Sequence, residues 1–427
     1  MPKTRAPFAW VGFVFLAVVV WLISFDSLTR GGIDFSVYWR GGHTLVHGWG
    51  SVTDLYTFQG GLPFTYPPFA AMIFMIFGIF PEKIGALLMV LLILGMAWWV
   101  SKLVYDYAHQ RGKTFPLEKY LGHNGTIATI MGVIVASGPW WSTLGLTQIN
   151  ALIMLLVLAD LLRPATRVPR GVLIGVAGGI KLTPLAFGLI LLMRKDIKGV
   201  ITLGISFAAT IALGFILIPT EARQFWFDAL SDPARVGNLN YPDNISIKGN
   251  ILHTGLPEHS PLASLLVYGL ILILLVGVAI AIAVMNRSDM LMSQISLNAL
   301  LMIAMSPISW SHHNTWLPLF LVALWVDGFG THFVGRGRGF RITVAVLAWI
   351  ATLGLYISPM RIAKMLNFGR ASLDFLSPLP LIGSAIPATL MYLVAFIWVA
   401  VIIVDRHIWL PVAAKTRVAS VKADRIP

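Results

Sequence analysis

The apolar positions of the chain run in long blocks, not in the alternating or 3.6-residue patterns of half-buried strands and helices. Ten blocks approach the about 20 residues that carry a helix across a bilayer. They lie near residues 8–25, 82–105, 124–141, 148–163, 199–218, 263–285, 290–306, 315–327, 341–358 and 384–404, and each predicts a membrane-crossing α-helix. Two further apolar blocks do not fit this pattern. Residues 69–80 are too short to cross and end at Pro81-Glu82-Lys83, which predicts a helix lying along the interface. Residues 171–193 carry Lys181 in the middle, followed by Thr183-Pro184. Arg163, Arg167 and Arg170 precede this block, and Arg194, Lys195 and Lys198 follow it. Two basic flanks belong on the cytoplasmic side together. A re-entrant pair of short helices turning at Lys181 satisfies that requirement, and a single span does not. The expected fold is an all-α polytopic membrane protein with ten full spans plus the re-entrant pair, twelve membrane helices in all, and both termini cytoplasmic.

Composition agrees with this pattern. Charged residues make up 11% of the chain and apolar residues 57%, where soluble domains carry about 25% charged residues. The turn at Lys181 sets the parity of every later span, and charge tests it. With the turn, 21 of the 31 Lys and Arg and 8 of the 18 acidic residues are cytoplasmic, leaving 10 of each outside. The whole excess of +13 is then cytoplasmic, as the positive-inside rule requires. The charge is a topology signal, with some attraction to anionic membrane lipid. Nucleic acid is not an expected partner, because no basic segment is interleaved with aromatics. The chain has no cysteine, so disulfides and thiol chemistry are excluded. The first block follows Lys3 and Arg5 but is long for a signal peptide and lacks a small-x-small cleavage site, so a retained span is expected. Residues 1–410 are expected to form one transmembrane domain with outer segments 26–81, 219–262 and 359–383, followed by a basic cytoplasmic tail at 411–427.

The polar residues that can carry chemistry gather on the expected outer side. Asp34, in Ile33-Asp34-Phe35-Ser36-Val37-Tyr38-Trp39, sits about nine residues past the first span. A carboxylate near the interface is costly unless hydrated, paired or functional. It serves either as a general base with a raised pKa or as the N-cap of a short helix through Tyr38 and Trp39. Asp54 reads as a turn or cap residue, and Tyr66, before Pro67-Pro68, can line a site. Gln148 and Asn150 can bond sugar hydroxyls or cap a span. Lys181 at a re-entrant tip calls for an anion, an acid or water. Asn238, Asn240, Asp243, Asn244, Ser246, Lys248 and Asn250 form either an ordinary polar loop or a polyol-recognising set. His312 and His313, in Ser309-Trp310-Ser311-His312-His313-Asn314, can bind phosphate or relay a proton. No metal site is expected, since adjacent helical side chains do not face one point.

These motifs occur in a familiar order. Asp34-Phe35-x-Val37-Tyr38-Trp39, Leu55-Tyr56, Tyr66-Pro67-Pro68, Gln148-Ile149-Asn150, Lys181-x-x-Pro184, Asn244-x-Ser246-x-x-Gly249 and Ser309-Trp310-x-His312-His313 together resemble glycosyltransferase family 87. The resemblance covers about residues 30 to 327, roughly two-thirds of the chain. It implies the type C glycosyltransferase architecture and a polyprenyl-phosphate-sugar donor, as used in actinobacterial envelopes. The family includes α-1,2-mannosyltransferases of phosphatidylinositol mannosides and lipomannan, and an arabinofuranosyltransferase. Its essential outer-loop aspartate falls on Asp34, and its functional late-loop histidine on His312 or His313. The expected reaction is inverting transfer of mannose from polyprenyl-phosphate-mannose to a lipid-anchored mannoside at the outer face of the cell membrane, giving an α-1,2 bond without a cofactor. Asp34 would deprotonate the acceptor. Lys181, Lys248 and His312 or His313 would stabilise the phosphate leaving group. Tyr38, Tyr66, Gln148, Asn150, Asn244 and Ser246 would bind substrate. The alternatives are arabinofuranosyl transfer and a lipid-linked sugar flippase or transporter.

Overall fold

Proline, glycine and interfacial polar residues cut the apolar blocks into helices of unequal length. A computed structural model describes residues 7–327, apart from 31, 50, 58–59, 165–166, 233–234, 236, 242 and 288, together with scattered positions between 339 and 350. The predicted span at 384–404, the outer segment 359–383 and the tail at 411–427 lie outside the described residues, and the span at 341–358 is described only in part. Every regular element among the described residues is helical. In chain order these are α1 (Ala9–Arg30), α2 (Ile33–Gly48), α3 (Pro68–Gly78), α4 (Glu82–Gln110), α5 (Glu118–Ala136), α6 (Gly138–Leu146), α7 (Asn150–Leu162) and α8 (Val172–Ile180). Then follow α9 (Gly188–Met193), α10 (Ile197–Leu217), α11 (Pro219–Arg223), α12 (Ile247–Leu252), α13 (Pro261–Arg287), α14 (Leu291–Met305) and α15 (Pro318–Val326).

Among the described residues, α4, α10 and α13 are each long and apolar enough to cross a membrane. The predicted span at 124–141 is not one straight helix. Ser137 is extended, Pro139 follows at the start of α6, and α5 and α6 meet at 80°, because proline cannot donate the next helical hydrogen bond. The predicted spans at 148–163, 290–306 and 315–327 contain helices of only 13, 15 and 9 residues. At 1.5 Å per residue these reach about 20, 22 and 14 Å, short of a hydrocarbon core about 30 Å thick. Polar or proline boundaries shorten them: Gln148 before α7, Asp289 and Pro307 around α14, and Pro318 at the start of α15. The short block at 69–80 forms the 11-residue α3, too short at about 1.5 Å per residue to cross a hydrocarbon core. The block at 171–193 is broken at Lys181 as expected, where an extended backbone (φ −149°, ψ 128°) ends α8 ahead of a tight turn at Thr183–Phe187.

The chain forms two compact units. Among the described residues, the first comprises those up to Gly188, Lys198–Leu239 and His312–Thr315, and the second Leu189–Ile197, Asn240–Ser311 and those from Trp316 on. In the first unit, α1 packs along α5, and α2 crosses α3. That crossing is made backbone to backbone. A Cβ on Gly42 would lie 2.2 Å from the Phe74 carbonyl oxygen, and one on Gly78 would lie 2.4 Å from the His43 nitrogen. Small residues allow such contact between membrane-associated helices. Tyr38 stacks on Phe74 across the crossing, with ring centroids 4.6 Å apart. In the second unit, α14 packs against α13 and α15.

Candidate functional site

The first unit brings residues from five breaks between helices into one polar cluster. Gly32, in the left-handed region at φ 58°, starts α2 as its N-cap without a side-chain cap bond. Asp34 therefore lies in the first helical turn, and the N-cap reading of this residue is corrected. Its carboxylate accepts a hydrogen bond from Gln148 Nε2 instead. Gln148 follows Thr147, a non-glycine residue at φ 56°. A backbone of that kind is uncommon and is held by its surroundings. Gln148 Oε1 accepts from the Tyr38 hydroxyl at 2.7 Å, and the Tyr38 and Tyr66 hydroxyls lie 2.9 Å apart. The chain of bonds thus runs from Tyr66 through Tyr38 and Gln148 to Asp34.

A second branch reaches the cation. Lys181 Nζ donates to Asn150 Oδ1 at 3.3 Å and lies 3.4 Å from His313 Nε2 and 5.9 Å from the centre of the Tyr66 ring. Asn150 Nδ2 donates to the His312 carbonyl at 3.2 Å. His312 Nε2 approaches Gln148 Nε2 at 3.4 Å, which joins the two branches. The histidine turn is fixed from α6: Thr143 donates to the His312 carbonyl at 3.3 Å, and buried Trp140 Nε1 donates to the Thr315 carbonyl at 2.9 Å. Sequence reasoning missed Thr143 and Trp140. The Gly138-Pro139-Trp140-Trp141 helix start was the available signal, but nothing in it names the carbonyls it serves.

Burial raises the Asp34 carboxyl, while the Gln148 bond and the Lys181 charge pull it down, and the net direction is upward. Burial, reinforced by the Lys181 charge, pushes His312 down to about 3 and holds His313 well below its ordinary range. Both imidazoles are therefore neutral near pH 7 and act as hydrogen-bonding groups, not as cations. Burial raises the Tyr38 and Tyr66 phenols, so both remain protonated donors. Among the described residues, no three His, Cys, Asp or Glu side chains gather to hold a metal.

Asp243, Asn244, Ser246 and Lys248 belong to the second unit and bond within it. Asn244 Oδ1 accepts from the Ser309 and Ser246 amides at 2.9 and 3.3 Å, and its Nδ2 donates to the Pro307 carbonyl at 3.2 Å. Ser246 caps α12 by accepting from the Gly249 amide at 2.9 Å. Lys248 pairs with Glu258 at 2.8 Å. Asp243 accepts from the Ser311 amide and hydroxyl at 3.1 and 3.0 Å.

Comparison with known proteins places this cluster in context. The family model for glycosyltransferase family 87 matches residues 64–307. That match starts after Asp34 and ends before His312. A polyprenol-phosphate-mannose-dependent alpha-(1-2)-phosphatidylinositol mannoside mannosyltransferase of Mycolicibacterium smegmatis is 30% identical over 75% of this chain and 73% of its own length. Its Mycobacterium tuberculosis counterpart is 30% identical over 72% of this chain and 73% of its own length. A phosphatidylinositol pentamannoside mannosyltransferase of Mycobacterium tuberculosis is 31% identical over 69% of this chain and 66% of its own length. No solved structure matches. A helical chain with long apolar spans, a cluster of polar residues at its helix breaks, and a match over more than half its length belongs to glycosyltransferase family 87.

Proposed function

We propose that this hexosyltransferase moves mannose from polyprenyl-phosphate-mannose to a lipid-anchored mannoside of the phosphatidylinositol mannoside class, at the outer face of the cell membrane, with inversion and an α-1,2 product. The convergence of Asp34, Gln148 and Lys181 from three separate helix breaks carries this reading. A lipid-phosphate donor keeps its tail in the bilayer, so its sugar reacts where helices end. Asp34 takes the proton from the acceptor 2-hydroxyl, and that oxygen attacks the anomeric carbon of the donor. The bond to phosphate breaks, and polyprenyl phosphate leaves as an anion that needs no general acid. A raised carboxyl pKa makes Asp34 a stronger base in its deprotonated form. Lys181 supplies the positive charge that stabilises the departing phosphate. His313, hydrogen-bonded to Lys181, and His312, beside Gln148, orient substrate as neutral groups. Tyr38 and Gln148 keep Asp34 aimed, and Asn150 keeps Lys181 aimed.

The outer-face assignment is supported by the cytoplasmic excess of Lys and Arg. Arabinofuranosyl transfer uses the same logic, and a donor swap in the same assay separates the two. A flippase would move the donor without making a glycosidic bond. The decisive experiment is Asp34→Asn in membranes given synthetic polyprenyl phosphomannose and a mannoside acceptor. The variant should accumulate normally and lose at least about a hundredfold in transfer, the lower end of general-base contributions. Retained transfer would remove Asp34 from the mechanism.

A further inference from the structure

Helix α6 ends on a residue that its backbone does not favour. Thr147 takes φ 56° and ψ 52°. Its amide donates to the Leu144 carbonyl at 3.1 Å, and the Gln148 amide donates to the Thr143 carbonyl at 2.8 Å. These are the two closing bonds of a left-handed helix end. Glycine is the usual residue at that position, because it adopts positive φ without steric cost. A β-branched residue there is a genuine outlier. Glycine would end α6 with less strain, so the capping role alone does not explain a threonine.

The side chain has contacts of its own. It is buried, and its hydroxyl donates to the Leu144 carbonyl at 3.3 Å. It also faces Gly32, the left-handed residue at φ 58° that starts α2. A Cβ on Gly32 would lie 3.1 Å from the Thr147 hydroxyl oxygen and 3.7 Å from its Cβ. The bare glycine thus seats the threonine against the entry of α2. The contact stands one residue before Gln148 and two before Asp34, the two partners of the hydrogen bond at the centre of the cluster. Both sides of it belong to the first unit.

We infer that Thr147 is a positioning residue: its side chain, seated on Gly32, aims the Gln148 amide at the Asp34 carboxylate. The inference rests on the reading of Asp34 as the base and extends it. A glycine at 147 keeps the helix end but opens several backbone directions to Gln148, so the bond to Asp34 is made only part of the time. Strain held beside a reacting group is a form of pre-organisation.

The test uses the full chain with synthetic polyprenyl phosphomannose and a mannoside acceptor. The Gln148 bond lowers the Asp34 pKa, so losing it moves the acid limb of kcat/KM to higher pH. Thr147→Gly should move that limb by about half a unit to one unit, the worth of one hydrogen bond. The titratable groups around Asp34 and Gln148, namely Lys181, Tyr38, Tyr66, His312 and His313, are unchanged in the variant. Thr147→Ser, which keeps the hydroxyl, should leave the limb in place. Thr147→Gly combined with Gln148→Met should move it no further than Gln148→Met alone, because residues acting in series are not additive. A limb that Gln148→Met moves and Thr147→Gly does not, equal shifts in Thr147→Ser and Thr147→Gly, or shifts that add in the double variant would each overturn the inference. A second readout needs no transfer. In protein labelled with 15N at glutamine, the Gln148 side-chain amide, identified by its loss in Gln148→Met, should move toward the free-amide position in Thr147→Gly and stay in Thr147→Ser. An unmoved resonance in Thr147→Gly would overturn the inference. If Asp34→Asn retains transfer while the resonance responds as stated, the base reading fails and the aiming of Gln148 by Thr147 stands.

Discussion

The Asp34 cluster of the first unit and the Asn244 loop of the second are both rich in amides, hydroxyls and charge, yet they use them differently. Around Asp34, side chains bond one another: Tyr38 to Gln148, Gln148 to Asp34, Lys181 to Asn150. Around Asn244, side chains bond backbone: the Ser309 and Ser246 amides, the Pro307 carbonyl, and the first turn of α12. A side chain that satisfies buried backbone replaces a missing helical partner and cannot be released without leaving an orphaned polar group. A side chain bonded to another at a helix break can exchange that partner for a substrate hydroxyl. The first arrangement suits chemistry, and the second suits scaffolding.

Substitutions on the two sides should separate these roles. Of the substitutions that contrast the two regions, Lys181→Met should have the largest effect, lowering kcat about a hundredfold, the scale of removing one transition-state donor, with the thermal midpoint little changed. A kcat close to wild type would remove Lys181 from phosphate stabilisation. Asn244→Ala should act the opposite way. It strands the Ser246 and Ser309 amides, while the Pro307 carbonyl keeps the Ser246 hydroxyl. Each stranded amide costs about 1–3 kcal/mol if unhydrated, so detergent-solubilised protein should melt several degrees lower while kcat per folded molecule stays within about twofold. A selective loss of kcat with an unchanged midpoint would move Asn244 into the site.

The smallest effect sharpens the picture within the cluster. Gln148 pulls the Asp34 carboxyl down against burial. Gln148→Met should let that pKa rise further. A base works only when deprotonated, so rate is lost as pH falls through the Asp34 pKa. The acid limb of the kcat/KM profile should therefore move to higher pH, with a modest loss at pH 7. An unmoved limb would mean that Gln148 does not govern the base.

Much of this organisation was legible in the chain. The break at Lys181 follows from a lysine and Thr183-Pro184 within an apolar block between basic flanks, and the structure ends α8 at that residue. The short α3 follows from a block too short to cross and closed by Pro81. Where reading by block length failed, as at 124–141, the cause was local. Ser137 and Pro139 outweigh a continuous apolar run because a missing donor breaks a helix whatever its hydropathy. Lys248 was read as a phosphate ligand because a lysine in a polar outer loop looks available. Its pairing with Glu258, ten residues on, depends on how the loop folds back.

The sequence by itself determined that the chain is helical and membrane-type, where its charges concentrate, and which polar residues stand at helix ends. Hydropathy, proline and charge act locally, so a linear reading captures them. Tertiary structure alone decided which of those residues meet. Gln148 reaches Asp34 across 114 positions and Lys181 reaches His313 across 132, while Asn244 turns to its own backbone neighbours. Choosing between those outcomes takes packing: the close crossing of α2 and α3 at Gly42 and Gly78, and the strained turn at Thr147, aim side chains in directions that no local pattern specifies.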